Sequence, residues 1–240
     1  MAFTLLPAID VAGARLGLYT AEGPRPHDAF GGDPILAAQA YVAAGARWLH
    51  VVDMDLAFGG EPRNVEVVAA IRDALPDVSL QVSGGIRTAA QAEVYLDAGA
   101  DRFVVASAAL TDERAIAEML GSQARRLIVG IEVAEGRVRA RGRADLDLDL
   151  MTTLGWLTEA GAPSFLITDI GRVGTMQGPD LALLRRARRA GRSVLVAGGI
   201  SSLADLRAVH AAGGEGAVVG RSALEETLSL ADALVWAAQP

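Results

Sequence analysis

One stretch of this chain repeats another. Val82-Ser83-Gly84-Gly85-Ile86 is a short apolar run that ends in a glycine pair and leads into a helical pattern, and Val196-Ala197-Gly198-Gly199-Ile200 does the same. Sliding the chain by 114 positions lays Gly84 over Gly198, and residues 82–110 then meet 196–224 without a gap. Gly84, Gly85, Ile86, Ala90, Ala98, Gly99, Val104, Val105, Ala109 and Leu110 fall on identical residues. The offset is close to half of the 240 residues, so the chain reads as a doubled half, about 1–122 and 123–240. Any two strand–helix units share Gly at helix ends and Val in strands, but ungapped agreement of this length goes further.

The rest of the chain keeps the same beat. Short apolar runs at 5–9, 48–52, 79–82, 102–105, 126–131, 165–168, 193–196 and 217–219 have the pattern of buried strands. Helical patterns follow each of them, at 34–44, 63–75, 88–98, 112–120, 151–160, 180–190, 203–212 and 228–237. Pro34 opens the first helix and Gly45 stops it. Residues 12–32, rich in Gly and Pro, read as a long loop, and the polar segment 137–149, with alternating Arg and Asp, reads as another. Eight strand–helix pairs without a linker predict an α/β chain of one domain, a (β/α)8 TIM barrel. An open doubly wound sheet is the alternative, but it leaves the repeat of both halves unexplained.

Composition narrows the function. The chain has no cysteine, which removes disulfide and thiolate chemistry and suits a reducing compartment. A net charge of -7 argues against general nucleic-acid binding. No apolar run reaches membrane-spanning length, and no basic region followed by a long apolar stretch opens the chain. The expectation is a cytoplasmic protein acting on a small molecule, with no membrane or nucleic-acid partner. It is expected to be a monomer, because the two halves satisfy each other.

A barrel of this kind carries its chemistry at the C-terminal ends of its strands. The residues there are Asp10, Asp53, Asp55, Ser83, Ala106, Ser107, Glu132, Asp169, Ala197 and Gly220: an acidic mouth between two glycine-rich turns. A glycine pair lets backbone N–H groups approach an anion closely, and the positive end of the following helix points the same way. Two such turns suggest a molecule with two phosphates. Carboxylates on opposite sides of one cavity suit proton transfer by a base and an acid. Several carboxylates also suit a metal. No His joins them at ligand spacing, however, and His50 sits inside a strand, so no metal is expected.

These residues carry a resemblance. Leu6-Pro7-Ala8-Ile9-Asp10, the run from Leu49 to Ala57, Asn64, Ser83 to Arg87, Thr168-Asp169-Ile170, Gly174-Thr175, Gly198 to Ser202 and Gly220 occur in an order and spacing similar to the phosphoribosyl isomerases of histidine biosynthesis. The likeness is to the actinobacterial bifunctional type, which also serves tryptophan biosynthesis, and it covers nearly the full chain. It implies a doubled half-barrel that performs an Amadori rearrangement, aminoaldose to aminoketose, without metal or organic cofactor. It implies Asp10 as the general base. Ser83, Gly84, Gly85, Ala106 and Ser107 would hold one phosphate, and Gly178, Gly198, Gly199, Gly220 and Arg221 the other. Arg141 and Arg143 would contact substrate from the loop after the fifth strand.

The departures from that family fall mainly at the site. Its second aspartate is Glu132 here, one methylene longer. The acid of its Asp-Gly-Thr is Val173, which leaves Asp169 or Glu132 to supply the proton. Asp145 stands where a stacking Trp is usual, Gly17 at a phosphate-gripping Arg, and Ala106-Ser107 for Gly-Thr. An enzyme of another class acting on a different phosphosugar, or a non-catalytic phosphosugar-binding protein, are the alternatives these changes keep open.

Overall fold

A computed structural model describes residues 3–20, 23–140 and 143–239, with Thr20 and residues 143–145 given by their backbone alone. The apolar runs form eight parallel strands: β1 (Thr4–Ala12), β2 (Trp48–Asp53), β3 (Ser79–Ile86), β4 (Arg102–Val105), β5 (Leu127–Ala134), β6 (Ser164–Asp169), β7 (Ser193–Ala197) and β8 (Gly216–Val219). Each pairs with the next, and β8 returns to β1 through Thr4 opposite Gly216 and Leu6 opposite Val218, so the sheet closes. The fold is a (β/α)8 TIM barrel.

Closure produces two apolar layers from one alternating pattern. Leu6, Ala8, Val104, Ile128, Leu166, Leu195 and Val218 form a cluster of their own inside the barrel. The intervening residues, Leu5, Leu49, Val51, Phe103 and Phe165 among them, face outward into the larger core under the helices. Both faces of every strand are therefore buried, which is why the strands read as continuous apolar runs.

The longer helices are α1 (Pro34–Ala43), α2 (Val65–Ala74), α3 (Ala89–Asp97), α4 (Glu113–Gln123), α5 (Leu150–Glu159), α6 (Leu181–Arg188), α7 (Leu203–Ala211) and α8 (Leu230–Ala237), and short helical turns at Met54–Gly59 and Arg221–Leu224 follow strands β2 and β8. Several begin a residue later than expected because the first polar residue is a cap. Thr88, Asp112 and Asp180 stay extended or irregular, and their side chains accept backbone N–H groups of the first turn. None of the described helices is long and apolar enough to cross a membrane.

Two segments read as loops contain strands. Arg15–Thr20 pairs with Gly23–Pro26 and, through Leu16 opposite Val11, with the end of β1. Arg137–Ala140 runs antiparallel to β5 and then pairs with Arg143–Asp149. The second hairpin has a visible cause: Arg137-Val138-Arg139-Ala140 and Leu146-Asp147-Leu148-Asp149 alternate with period two. Val138, Ala140 and Leu146 are buried, while Arg137 and Arg139 both pair with Asp147. The alternation of charge that suggested a loop is the exposed face of a ribbon.

Candidate active site

The C-terminal ends of the strands surround a cavity of about 410 Å3. Asp10 of β1 and Glu132 of β5 both line it. In a ring of eight these strands lie half a turn apart, so the two carboxylates stand on opposing walls. The Glu132 backbone is fixed by Ser107, whose hydroxyl accepts its N–H at 2.7 Å and donates to the Gly130 carbonyl at 3.0 Å.

Both glycine turns open into this one cavity. Gly84 and Gly85 have φ of +114° and +88°, and Gly198 and Gly199 have +99° and +81°, a region L side chains seldom enter. Space forbids a side chain as well. A Cβ at Gly84 would overlap the Asp53 carbonyl oxygen, and one at Gly199 would overlap that of Gly178. Ser83, Ala106 and Ser107 adjoin the first turn, Gly220 and Arg221 the second, and all five line the cavity.

Other expected site residues are placed elsewhere. Asp53 is buried and fully committed. Its carboxylate accepts Leu56 N–H (2.9 Å), Asn64 Nδ2 (2.7 Å), Asn64 N–H (3.0 Å) and the Tyr95 hydroxyl (2.6 Å). Asp55 accepts Gly13 N–H and Asn64 Nδ2, both at 2.8 Å, which holds its carboxyl below the usual range despite the opposing effect of burial. These two acids fasten the segment after β1 and are not part of the mouth. Asp169 is also outside the cavity lining. Its carboxylate caps the turn Ile170–Arg172 through Gly171 N–H at 2.9 Å and lies 3.8 Å from Arg172. Gly178 backs the second turn, giving its N–H to the Gly199 carbonyl at 2.8 Å instead of facing the cavity. Ser107 contributes wall, but its hydroxyl is already engaged by β5. Arg141 lies outside the described residues, and Arg143 is described by its backbone only, within its hairpin strand.

The structure adds residues the sequence reading passed over. Tyr19, on the first hairpin, stacks on Phe58 with centroids 5.8 Å apart and planes 15° apart, and both line the cavity. Arg87, Thr168 and Val173, which the sequence reading quoted without giving them a binding role, line it too. Arg87 has no ion-pair partner among the described residues, which leaves a cation beside the first turn. Its position directly after Gly-Gly-Ile was the available signal. Tyr19 had none, because its strand was read as loop. Among the described residues no three His, Asp or Glu side chains are grouped to hold a metal.

The Tyr95 phenol is a structural donor. Burial, then the Asp53 carboxylate, push its ionisation upward, so it keeps its proton. Tyr95→Phe is expected to lower unfolding free energy by about 1–3 kcal/mol, because a buried carboxylate loses a partner. Urea unfolding monitored by circular dichroism measures this, and an unchanged midpoint would contradict it.

A profile of the family described as "Histidine biosynthesis protein" matches residues 4–229. The chain belongs to this family. A relative from Moorella thermoacetica is 38% identical over 239 residues, covering 98% of each chain, and one from Salinispora tropica is 39% identical over 238 residues with the same coverage. Another, from Acidothermus cellulolyticus, is 37% identical over 240 residues, covering 97% of each. All three are named 1-(5-phosphoribosyl)-5-((5-phosphoribosylamino)methylideneamino)imidazole-4-carboxamide isomerase.

Proposed function

We propose that this family member is a cofactor-independent aldose–ketose isomerase of histidine biosynthesis, acting on the doubly phosphorylated aminoaldose for which its relatives are named. One observation carries the reading: two left-handed glycine turns open into a single cavity, with Asp10 and Glu132 on opposite walls. Each turn offers backbone N–H groups to one phosphate, and Arg87 adds a cation beside the first; Arg221, beside the second, is already paired with Glu225 at 2.8 Å and donates to the Gly174 carbonyl at 2.8 Å. The ungapped repeat supports the further reading that the two cradles descend from one half-barrel, joined near residue 122.

Glu132 is the acid in this scheme. It gives a proton to the ribosyl ring oxygen as the C1–O bond breaks, and the nitrogen lone pair forms the C=N bond of a Schiff base. Asp10 then takes the C2 proton, leaving an enolamine, and the C2 hydroxyl becomes the ketone as C1 gains a proton. Two carboxylates held apart suffice, because no electrons leave the substrate. All 22 residues counted as Lys+Arg are arginine and there is no cysteine, so an enzyme-bound lysine imine or a thiolate adduct is excluded.

Incubating purified protein with the relatives' aminoaldose and, separately, with the aminoaldose of tryptophan biosynthesis tests this. Turnover of the first is expected, unaltered by EDTA. Turnover of the second would extend the reading to the bifunctional type. Val173 on the cavity wall favours one other reading, a changed substrate. Binding of both compounds with turnover of neither would replace the proposal with it.

A further inference from the structure

Beneath Ser83 runs a line of buried polar side chains that the reaction scheme does not use. Sheet register assembles it: Gln81 of β3 lies opposite His50 of β2 on one side and Arg102 of β4 on the other. Gln81 is fully buried and His50 nearly so. Arg102 lies over the Trp48 ring, 3.9 Å from its centroid.

The proton positions follow from chemistry. Arg102 Nε can only donate, and it lies 2.7 Å from Gln81 Oε1. That fixes the amide, so Gln81 Nε2 faces His50 Nδ1 at 2.7 Å and donates to it. Nδ1 therefore carries no hydrogen. Burial, then the Arg102 charge, hold the imidazole neutral, with its pKa pushed down to about 3. A neutral ring with a bare Nδ1 has its hydrogen on Nε2, which lies 3.0 Å from Ser83 Oγ. Ser83 accepts that hydrogen, and its own O–H is left to point elsewhere. Ser83 lines the cavity next to Gly84.

We propose that Arg102, Gln81 and His50 form a fixed hydrogen-bond relay that makes the Ser83 hydroxyl a donor to the phosphate in the first glycine turn. Gln81 and Arg102 lie behind the wall as positioning residues, His50 reaches the cavity lining beside Ser83 and acts through it, and Ser83 is the one that touches ligand. The Arg102 cation polarises the line in one direction and strengthens each donor along it. The same logic excludes a serine nucleophile with a histidine base, since Nε2 already bears a proton and cannot take another from Ser83. From the proposed function the inference takes only that the first turn binds a phosphate.

Nitrogen NMR of the ligand-free protein labelled at histidine tests the relay directly. The His50→Gln variant assigns the signals among the three histidines. His50 is expected to show an unprotonated Nδ1 and a protonated Nε2, with no imidazolium forming between about pH 5 and 8, where a free histidine titrates. In Gln81→Glu the partner can only accept, so the hydrogen moves to Nδ1. A wild-type proton on Nδ1, or a tautomer indifferent to Gln81→Glu, overturns the relay.

Titration with inorganic phosphate tests the donor. Ser83→Ala and Gln81→Met should each weaken binding by roughly fivefold to tenfold, the worth of one hydrogen bond, and the double variant no further. Additive losses would mark Gln81 as merely structural and overturn the inference. A wild-type protein that binds no phosphate overturns Ser83's target together with the first cradle of the proposed function. The tautomer signature distinguishes that failure from failure of the relay.

Discussion

Asp10→Asn is expected to lower kcat for the aminoaldose by roughly 10²–10⁴-fold, the usual worth of a positioned acid or base, with little change in KM. The substitution keeps the size of the side chain but removes its charge and its ability to take a proton, putting an NH2 donor in place of one carboxylate oxygen. The backbone does not move to compensate, because Asp10 sits within a ladder, paired with Val52 of β2. Both glycine turns are untouched, so ligand affinity is retained. Steady-state kinetics with a parallel binding measurement separate the two effects. A loss below tenfold in kcat would remove Asp10 from the role of base. An equal loss of affinity would make it a binding residue instead.

The largest stability effect is expected at the second turn. Gly199→Ala combines a left-handed φ of +81° with a Cβ that would overlap the Gly178 carbonyl oxygen, and that oxygen belongs to main chain and cannot rotate away. The backbone strain alone costs about 1–3 kcal/mol, and the overlap brings the expected destabilisation to roughly 3–5 kcal/mol. Phosphate binding at this turn is lost with it. The same chemical change at Gly155, exposed in α5 with nothing within 4 Å of the new Cβ, should stabilise by about 0.5–1 kcal/mol. Paired denaturant titrations measure both. The opposite signs are the test, and two destabilisations of similar size would refute the steric account.

The architecture was legible because its signals are local. The eight strands are apolar runs, since closure buries both their faces, and the helices announce themselves through Pro34 and through glycine stops, while Asp112 and Asp180, expected as first helical residues, are caps. The hairpin at 137–149 was legible in principle, in the alternation of Leu146, Asp147, Leu148 and Asp149. The loop expectation fails there because the period-two apolar face, buried at Val138, Ala140 and Leu146, sets the ribbon and the charges only line its exposed side. The hairpin 15–26 offered little, since its Gly and Pro residues obscure any alternation and its partner is the end of β1.

The acidic mouth shows where reading along the chain stops being enough. Asp10, Asp53, Asp55, Glu132 and Asp169 all follow or end strands, and by position they are equivalent. In space, only Asp10 and Glu132 line the cavity. Asp53 is claimed by Tyr95, 42 positions away, and Asp55 by Gly13, also 42 away, while Asp169 is turned aside by its own turn at Gly171. The sequence by itself determined the period of the chain, the glycine pairs and their repeat, because these are patterns written along the chain, whereas the close contacts that forbid a side chain there, Gly84 on Asp53 and Gly199 on Gly178, form only in the folded barrel. Only the tertiary structure decided which carboxylates face the cavity and which fasten the chain. A carboxylate's role is set by the donors around it, and here those donors come from strands and helices that meet only when the barrel closes.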